Sequence, residues 1–194
     1  YWAEMFIVRI VKVFFTFGEL LIIEIGFGNG SHIIFLAEHN KDKLIIGVEM
    51  YREGVVKTLE KALKKNFTNL ILVPEDARKV ITSLKKESVD SFYILFPDPW
   101  PKARHNKRRL LKKPFFETLL TKLQNGGEVV VATDWAEYAE EIEEVLQSLQ
   151  NEKRGIVSLL EQGRQKPITE TTFALRAKKE GRGLYIRKFI KQNN

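Results

Sequence analysis

Cysteine is absent from the 194 residues, histidine occurs only three times, and no long hydrophobic run is present. The lack of cysteine excludes disulfides, a thiol nucleophile, a thiolate zinc site and an iron–sulfur cluster. His32, His39 and His105 do not have the spacing of metal ligands, so we expect no metal. Charged residues or glycine interrupt each apolar stretch well short of the ~20 residues that a membrane-spanning helix needs, so we expect no membrane association.

The chain length favours one domain, because ordinary domains contain roughly 100–200 residues. With 44% hydrophobic and 29% charged residues, the composition is that of a folded globular protein. We predict a single domain over residues 1–194, with an N-terminal segment at 1–19 to which the sequence assigns no role. The first stretch lacks the features of a secretory signal, which favours a cytoplasmic protein.

Apolar segments and turn residues predict alternating strands and helices. The predicted strands are 20–25, 44–48, 70–73, 91–96 and 128–132. The predicted helices begin after Gly30 and then span 51–65, 77–84, 114–123 and 136–149, and a turn at 125–127 precedes the fifth strand. Two later extended segments, 156–161 and 184–189, could form an antiparallel hairpin. We therefore predict an α/β fold with a mostly parallel central sheet, helices on both faces and an antiparallel C-terminal edge.

One expected feature of the 51–65 helix is a buried face. Val55, Leu59, Ala62 and Leu63 recur at helical spacing and are predicted to point toward the core.

A glycine loop follows the first predicted strand. Gly26, Gly28 and Gly30 allow positive φ angles and leave the backbone open to a ligand. The dinucleotide-binding fingerprint has glycines at its first, third and sixth positions, and the sixth position here is Ser31. The loop is therefore typical of a cofactor site, although it lacks the glycine spacing of that fingerprint. The alternative is that it is only a tight connection between the strand and the helix.

Acidic residues close three successive strands of the predicted sheet, at the edge where such sheets bind ligands. Glu49 suits the two hydroxyls of a ribose, which can both donate to one carboxylate. Asp76 could accept from the exocyclic amine of an adenine, with Ala77 supplying a backbone N–H. Glu24 would offer a charge opposite to an ammonium or sulfonium. Taken singly, each acid could instead be a helix cap or a surface charge.

The segment Glu24-Ile25-Gly26-Phe27-Gly28-Asn29-Gly30, with Glu49 and Asp76, resembles the S-adenosylmethionine site of class I methyltransferases. The resemblance implies a Rossmann-like methyltransferase fold and S-adenosylmethionine as cofactor. An NAD-binding domain is the second interpretation, disfavoured by the glycine spacing and by the lack of a second catalytic domain.

Positive charge is concentrated between positions 102 and 113, where seven basic residues occur without an acid: Lys102, Arg104, Lys107, Arg108, Arg109, Lys112 and Lys113. This segment accounts for the whole net charge of +7. Clustered basic side chains indicate a polyanionic partner, because they release counterions from phosphates, although a solvated basic surface is the alternative.

The loop after the fourth predicted strand reads Phe96-Pro97-Asp98-Pro99-Trp100. The two prolines restrict the backbone around Asp98 and would preorganise its carboxylate. Trp100 offers a flat face on which an unpaired RNA base could stack. The alternative is that Trp100 packs in the core and Asp98 caps a helix.

The whole segment 96–109 resembles the most specific motif of the bacterial tRNA (guanine-N7)-methyltransferases. Ala132-Thr133-Asp134-Trp135 and the glycine loop are further family-like segments, and the resemblance runs from about residue 21 to the end. It implies methylation of guanosine N7 in tRNA, at position 46 of the variable loop, with tRNA as partner and a monomeric or homodimeric enzyme.

The resemblance also implies residue roles. Glu24, Glu49, Asp76 and Asp98 would line the cofactor and reaction site, with Asp98 as the catalytic residue. The implied contacts with substrate RNA are Lys102, Arg104, His105, Asn106, Lys107, Arg108, Arg109 and Asp134. Thr171-Thr172-Phe173-Ala174 aligns with a Thr-x-Phe-Glu-like motif, in which Thr171 and Phe173 would contact the substrate. Ala174 stands in place of the usual Glu, and the nearby Glu170 could substitute for it.

Guanine N7 carries an in-plane lone pair and no proton, so the reaction needs no general base. Asp98 is expected to orient the base through its N1–H and N2–H groups and to offset the developing positive charge. Two rival functions stay open: methylation of an exocyclic amine, whose sites usually read Asp/Asn-Pro-Pro-aromatic, and RNA binding without catalysis.

Overall fold

The protein, seen in a computed structural model, is described at residues 20–152, 156–159, 168 and 170–192, with the backbone alone at 156–159. The strands of this part of the chain are β1 Leu21–Ile25, β2 Leu44–Val48, β3 Leu70–Val73, β4 Val89–Leu95, β5 Leu123–Thr133, β6 Ile156–Leu159 and β7 Tyr185–Lys191. They form one sheet in the order β3-β2-β1-β4-β5-β7-β6. The first five strands are parallel, and β7 pairs antiparallel with both β5 and β6.

The helices are α1 Ser31–His39, α2 Arg52–Lys65, α3 Ala77–Ser83, α4 Lys113–Lys122, α5 Ala136–Asn151 and α6 Thr172–Lys179, with a 3-10 helix at Ala103–Arg108. The predicted fold class is confirmed, including the antiparallel C-terminal edge. The 3-10 helix and α6 were not predicted; α6 begins at a Thr171 cap whose side chain accepts from the N–H of Ala174.

Helices cover both faces of the sheet because the central strands are apolar on both sides. Ile23 of β1 belongs to the core beneath α3, α4 and α5, whereas its neighbour Ile22 belongs to the core beneath α1 and α2. Side chains alternate between the two faces of a strand, so these neighbours pack in opposite cores. No helix among the described residues is long and apolar enough to cross a membrane.

The predicted turn at 125–127 lies inside β5 as an irregularity. Leu123 pairs with Val89 and Glu128 with Ser91, so β5 carries more residues than β4 over the same interval. Gly126, at φ 77°, accommodates the extra chain in a conformation that glycine tolerates.

The predicted buried face of α2 is wrong in part. Leu59 and Leu63 are exposed, whereas Gly54 and Thr58 are buried. A Cβ at Gly54 would lie 2.3 Å from the carbonyl oxygen of Gly28. The helix therefore packs through its small residues, because a bulkier side chain would hold it away from the glycine loop.

Candidate active site

A cavity of about 530 Å³ lies beyond the carboxyl ends of β1, β2 and β4. The strand register pairs Ile25 with both Val48 and Ile94, so the segments that follow these strands begin at one edge of the sheet. The cavity is lined by the glycine loop, the segments after β2, β3 and β4, and one side chain of α6. Its position and size are those of a small-molecule site in an open α/β sheet.

Glu49 holds the glycine loop in place. Its Oε2 accepts a hydrogen bond from the N–H of Gly28 at 2.9 Å, and its Oε1 accepts from the N–H of Tyr51 at 2.8 Å. A carboxylate has about four lone-pair sites, so acceptor capacity remains on both oxygens. Glu49, Gly26 and Gly28, which the sequence predicted as cofactor-binding residues, all line the cavity.

Asp76 also lines the cavity and at the same time caps α3. Its side chain accepts from the N–H of Arg78 at 2.8 Å, and Ala77 beside it is a further lining residue. The neighbouring Glu75 was not predicted, although it lines the same wall. The N–H of Asp76 donates to the Glu75 carboxylate at 2.7 Å, and this hydrogen bond is the main cause that lowers the pKa of Glu75.

Glu24 and Gly30 lie away from the cavity wall in the described structure. Glu24 is only 2% exposed, and its Oε2 lies 3.0 Å from Nδ1 of His32, which is also buried. Gly30 packs against α2, where an added Cβ would lie 2.3 Å from the hydroxyl of Thr58. Both residues thus support the loop from beneath, a placement that differs from the direct cofactor contact predicted for them.

The Pro-Asp-Pro loop brings an exposed carboxylate to the cavity. Asp98 is a lining residue, and Phe96 and Trp100 at the two ends of the loop have φ angles of 54° and 45°. Positive φ is strained for bulky side chains and persists only where the surroundings hold it. One such restraint is the N–H of Phe96, which donates to the carbonyl of Ala132 at 2.7 Å.

Helix α6 covers the glycine loop with one aromatic ring. Phe173, which was predicted as a substrate contact, stacks on Phe96 with ring centroids 6.0 Å apart and lines the cavity. Asn29 of the loop donates to the hydroxyl of Thr172 at 2.7 Å. Thr171 is buried as the cap of the helix, and Ala174 is buried as well, whereas Glu170 is exposed.

The basic segment folds beside the Pro-Asp-Pro loop. The guanidinium carbon of Arg108 lies 4.9 Å from the centre of the Trp100 ring, and His105 meets the same ring edge-on at 5.9 Å. Lys102, Arg104 and Lys107 are exposed. Asn106 donates to Glu137 of α5 at 3.2 Å.

Arg109 was predicted to contact RNA, but its side chain is buried and only 2% exposed. Its Nε donates to the carbonyl of Pro99 at 2.8 Å, and its terminal nitrogens donate to Glu137 and Glu141. Burial lowers the pKa of Arg109, but the hydrogen bonds and charges of the two glutamates outweigh it, and the pKa is raised. A buried guanidinium whose nitrogens already donate to partners within the protein does not reach a phosphate on the surface.

Asp134, another predicted RNA contact, is paired within the protein. It forms an ion pair with Arg182 and does not line the cavity. Lys112 and Lys113, which belong to the basic segment but were not predicted as RNA contacts, pair with Glu141 and Glu152. Among the described residues, Lys102, Arg104, Lys107 and Arg108 have no carboxylate partner and make up the exposed part of the basic segment. The described ranges contain no cluster of side chains suited to a metal ion.

A sheet of this topology, with a glycine loop after β1 and carboxylates after β2 and β3, has the fold of a class I methyltransferase. A putative methyltransferase from Streptococcus mutans in complex with SAH has the same fold, with a TM-score of 0.59 at 13% identity over 89% of each chain.

Residues 18–186 match the family described as "Putative methyltransferase". A tRNA (guanine-N(7)-)-methyltransferase from Actinobacillus succinogenes is 38% identical over 88% of this chain and 69% of its own length. One from Wolbachia pipientis wMel is 44% identical over 61% of this chain and 53% of its own. The chain belongs to the tRNA (guanine-N7)-methyltransferase family.

Proposed function

We propose that this protein transfers the methyl group of S-adenosylmethionine to N7 of a guanosine in tRNA, position 46 of the variable loop, giving 7-methylguanosine. One observation carries the proposal: the Asp98 carboxylate, the glycine loop and Arg108 of the exposed basic segment line a single cavity. A cofactor and a polyanion can therefore meet at one place. Because tRNA is the substrate, we expect the reaction in the cytoplasm.

The residues present fit S-adenosylmethionine. The free acceptor capacity of Glu49 suits the ribose hydroxyls, and the Asp76 carboxylate suits the exocyclic amine of the adenine. Val48 and Ile94 add nonpolar surface to the cavity. A volume of about 530 Å³ is sufficient for a ligand of this size.

S-adenosylmethionine would supply an electrophilic methyl group. The N7 lone pair of guanine forms the new bond to the methyl carbon, and the electron pair of the broken carbon–sulfur bond stays on sulfur. Asp98 accepts hydrogen bonds from N1–H and N2–H of the guanine and so aligns N7 with the methyl carbon. The carboxylate also offsets the positive charge that appears on the purine. The protein need not remove a proton, because N7 of neutral guanine carries none.

The aromatic and basic side chains around Asp98 have separate roles in the proposal. Trp100 supports the base beside the cavity, with Arg108 stacked on its ring. Lys102, Arg104 and Lys107 hold the RNA backbone through its phosphates, because they are exposed and lack carboxylate partners in the described structure.

Incubation of the purified protein with unmodified tRNA and methyl-labelled S-adenosylmethionine tests the function. The products are digested to nucleosides and analysed by mass spectrometry, with reductive cleavage of the RNA chain at 7-methylguanosine. We expect the label on guanine N7 at one cleavable position. Label on an exocyclic amine would keep the fold and cofactor but reject the proposed target atom. Tight tRNA binding without label would instead favour an RNA-binding module.

A further inference from the structure

We infer that Arg109 is a positioning residue for the Asp98 loop and not a ligand of the RNA; this inference rests on the proposed function. Arg109 belongs by sequence to the basic segment, yet its guanidinium is buried behind the loop. Its Nε binds the carbonyl of Pro99, the residue next to Asp98. It therefore acts on the reaction through the position of the Asp98 carboxylate.

The loop needs such a restraint because its backbone is strained at both ends. Phe96 and Trp100 both have positive φ angles, a conformation that is strained for residues with bulky side chains. Pro97 and Pro99 have fixed φ angles and no N–H, so neither can donate a backbone hydrogen bond that would anchor the loop. The carbonyl of Pro99 is held by Arg109 at 2.8 Å, which fixes the chain just before the strained Trp100.

The other end of the restraint is helix α5. The terminal nitrogens of Arg109 bind Glu137 and Glu141 on successive turns, and its guanidinium lies over the ring of Tyr138 at 4.9 Å. The hydroxyl of Tyr138 accepts from the N–H of Leu111 at 3.0 Å, which fastens the following residues to the same helix. The Pro99 end of the Asp98 loop is thus connected to α5 through one guanidinium.

The two possible roles of Arg109 predict opposite effects of removing its carboxylate partner. If Arg109 positions the loop, Glu137→Gln weakens the attachment of Arg109 to α5, and methyl transfer slows while tRNA affinity stays the same. If Arg109 is a phosphate ligand, the same substitution frees its charge and tightens tRNA binding. Glu144→Gln is the matched control, because it makes the same change of charge at an exposed position of α5 without a partner in the described structure.

The measurement is the single-turnover rate at saturating tRNA and S-adenosylmethionine, with separate titrations of tRNA and of S-adenosylhomocysteine. Glu137→Gln should lower the rate about tenfold and Arg109→Lys about ten- to a hundredfold, because Lys lacks the planar fork. Both dissociation constants should stay at their wild-type values, a pattern that general unfolding would not give. Tighter tRNA binding by Glu137→Gln, or an unchanged rate in Arg109→Lys, would overturn the inference. Wild-type protein without methyl transfer would overturn the proposed function instead.

Discussion

Asp98 combines an exposed carboxylate with a backbone that its neighbours restrain. No described residue donates a hydrogen bond to its side chain, so both oxygens are open to a substrate. The prolines on either side limit its backbone, and the strained residues beyond them are held by Ala132 and Arg109. The backbone that carries the carboxylate is therefore held in place by groups that do not contact the carboxylate itself.

The first prediction concerns Asp98→Asn. The amide has one acceptor oxygen and no negative charge, so it should orient the guanine poorly and leave the new positive charge unbalanced. We expect the single-turnover rate to fall about a hundredfold with little change in tRNA affinity. Asp42→Asn, at an exposed position in the α1–β2 connection, should match wild type. Equal losses of affinity and rate would assign Asp98 to RNA binding.

The second prediction concerns pH and Glu141. Burial raises the pKa of Glu141, but hydrogen bonds and charges from Lys112 and Arg109 outweigh it, and the pKa is lowered. A lowered pKa in the folded state contributes stability above the ordinary pKa of glutamate, and this contribution is lost as the pH falls through the lowered value. Urea unfolding between neutral and acid pH should show a smaller loss of stability for Glu141→Gln than for wild type. Parallel curves for the two proteins would contradict the assignment.

At the scale of elements, helix α2 forms the floor of the glycine loop. Gly54 lies under the carbonyl of Gly28, and Thr58 packs against Gly30. Gly30 has a φ of 81°, which an L side chain rarely adopts, so the loop depends on glycine for its conformation as well as its packing. The shape of the cavity is therefore set partly by a helix that does not itself line the cavity.

The third prediction follows from this packing. Gly54→Ala places a methyl group 2.3 Å from the carbonyl oxygen of Gly28, so the helix or the loop must shift. Alanine favours a helix by about 1 kcal/mol over glycine, which offsets part of the cost to stability. We expect S-adenosylhomocysteine to bind about tenfold more weakly by calorimetry, a size typical of overpacking. Lys57→Ala, exposed on the same helix, should bind normally. Normal binding by Gly54→Ala would mean that the loop adapts freely.

At the scale of the whole molecule, the acidic helix α5 neutralises some of the basic residues and leaves others without a carboxylate partner in the described structure. Glu137, Glu141 and Glu143 on this helix pair with Arg109, Lys112 and Arg187. The part of segment 102–113 that stays without a carboxylate partner in the described structure is the stretch beside the cavity. The protein therefore presents positive charge next to the site and neutralises it farther along the chain.

The fourth prediction uses the salt dependence of tRNA binding. Arg104→Ala with Lys107→Ala removes two exposed cations, and the slope of log affinity against log salt should become shallower by about 2. Lys85→Ala with Lys86→Ala removes the same charge before β4, at the opposite edge of the sheet. This control pair should keep the wild-type slope. Equal changes in the two pairs would indicate a diffuse charge effect without a defined RNA path.

Much of the fold follows from local patterns. Apolar runs such as 44–48 are strands because they are buried on both faces, and the glycines at 26, 28 and 30 mark the connection to α1. Glu49, Asp76 and Asp98 line one cavity, since parallel strands bring their carboxyl ends together, and their roles toward cofactor and substrate stay predictions. The apolar face of α2 was mispredicted because periodicity does not reveal that a helix must approach a backbone closely.

By itself, the sequence determined the order of the strands and of helices α1 to α5, the edge of the sheet at which the acids gather and the motifs that carry the family resemblance. These features depend on residues close together in the chain. Only the tertiary structure decided which charges remain for a partner. Arg108 and Arg109 are neighbours of the same type, yet one lies on Trp100 at the cavity and the other is buried between Pro99 and α5. The reason is physical: a charge is exposed or neutralised according to what distant segments bring beside it.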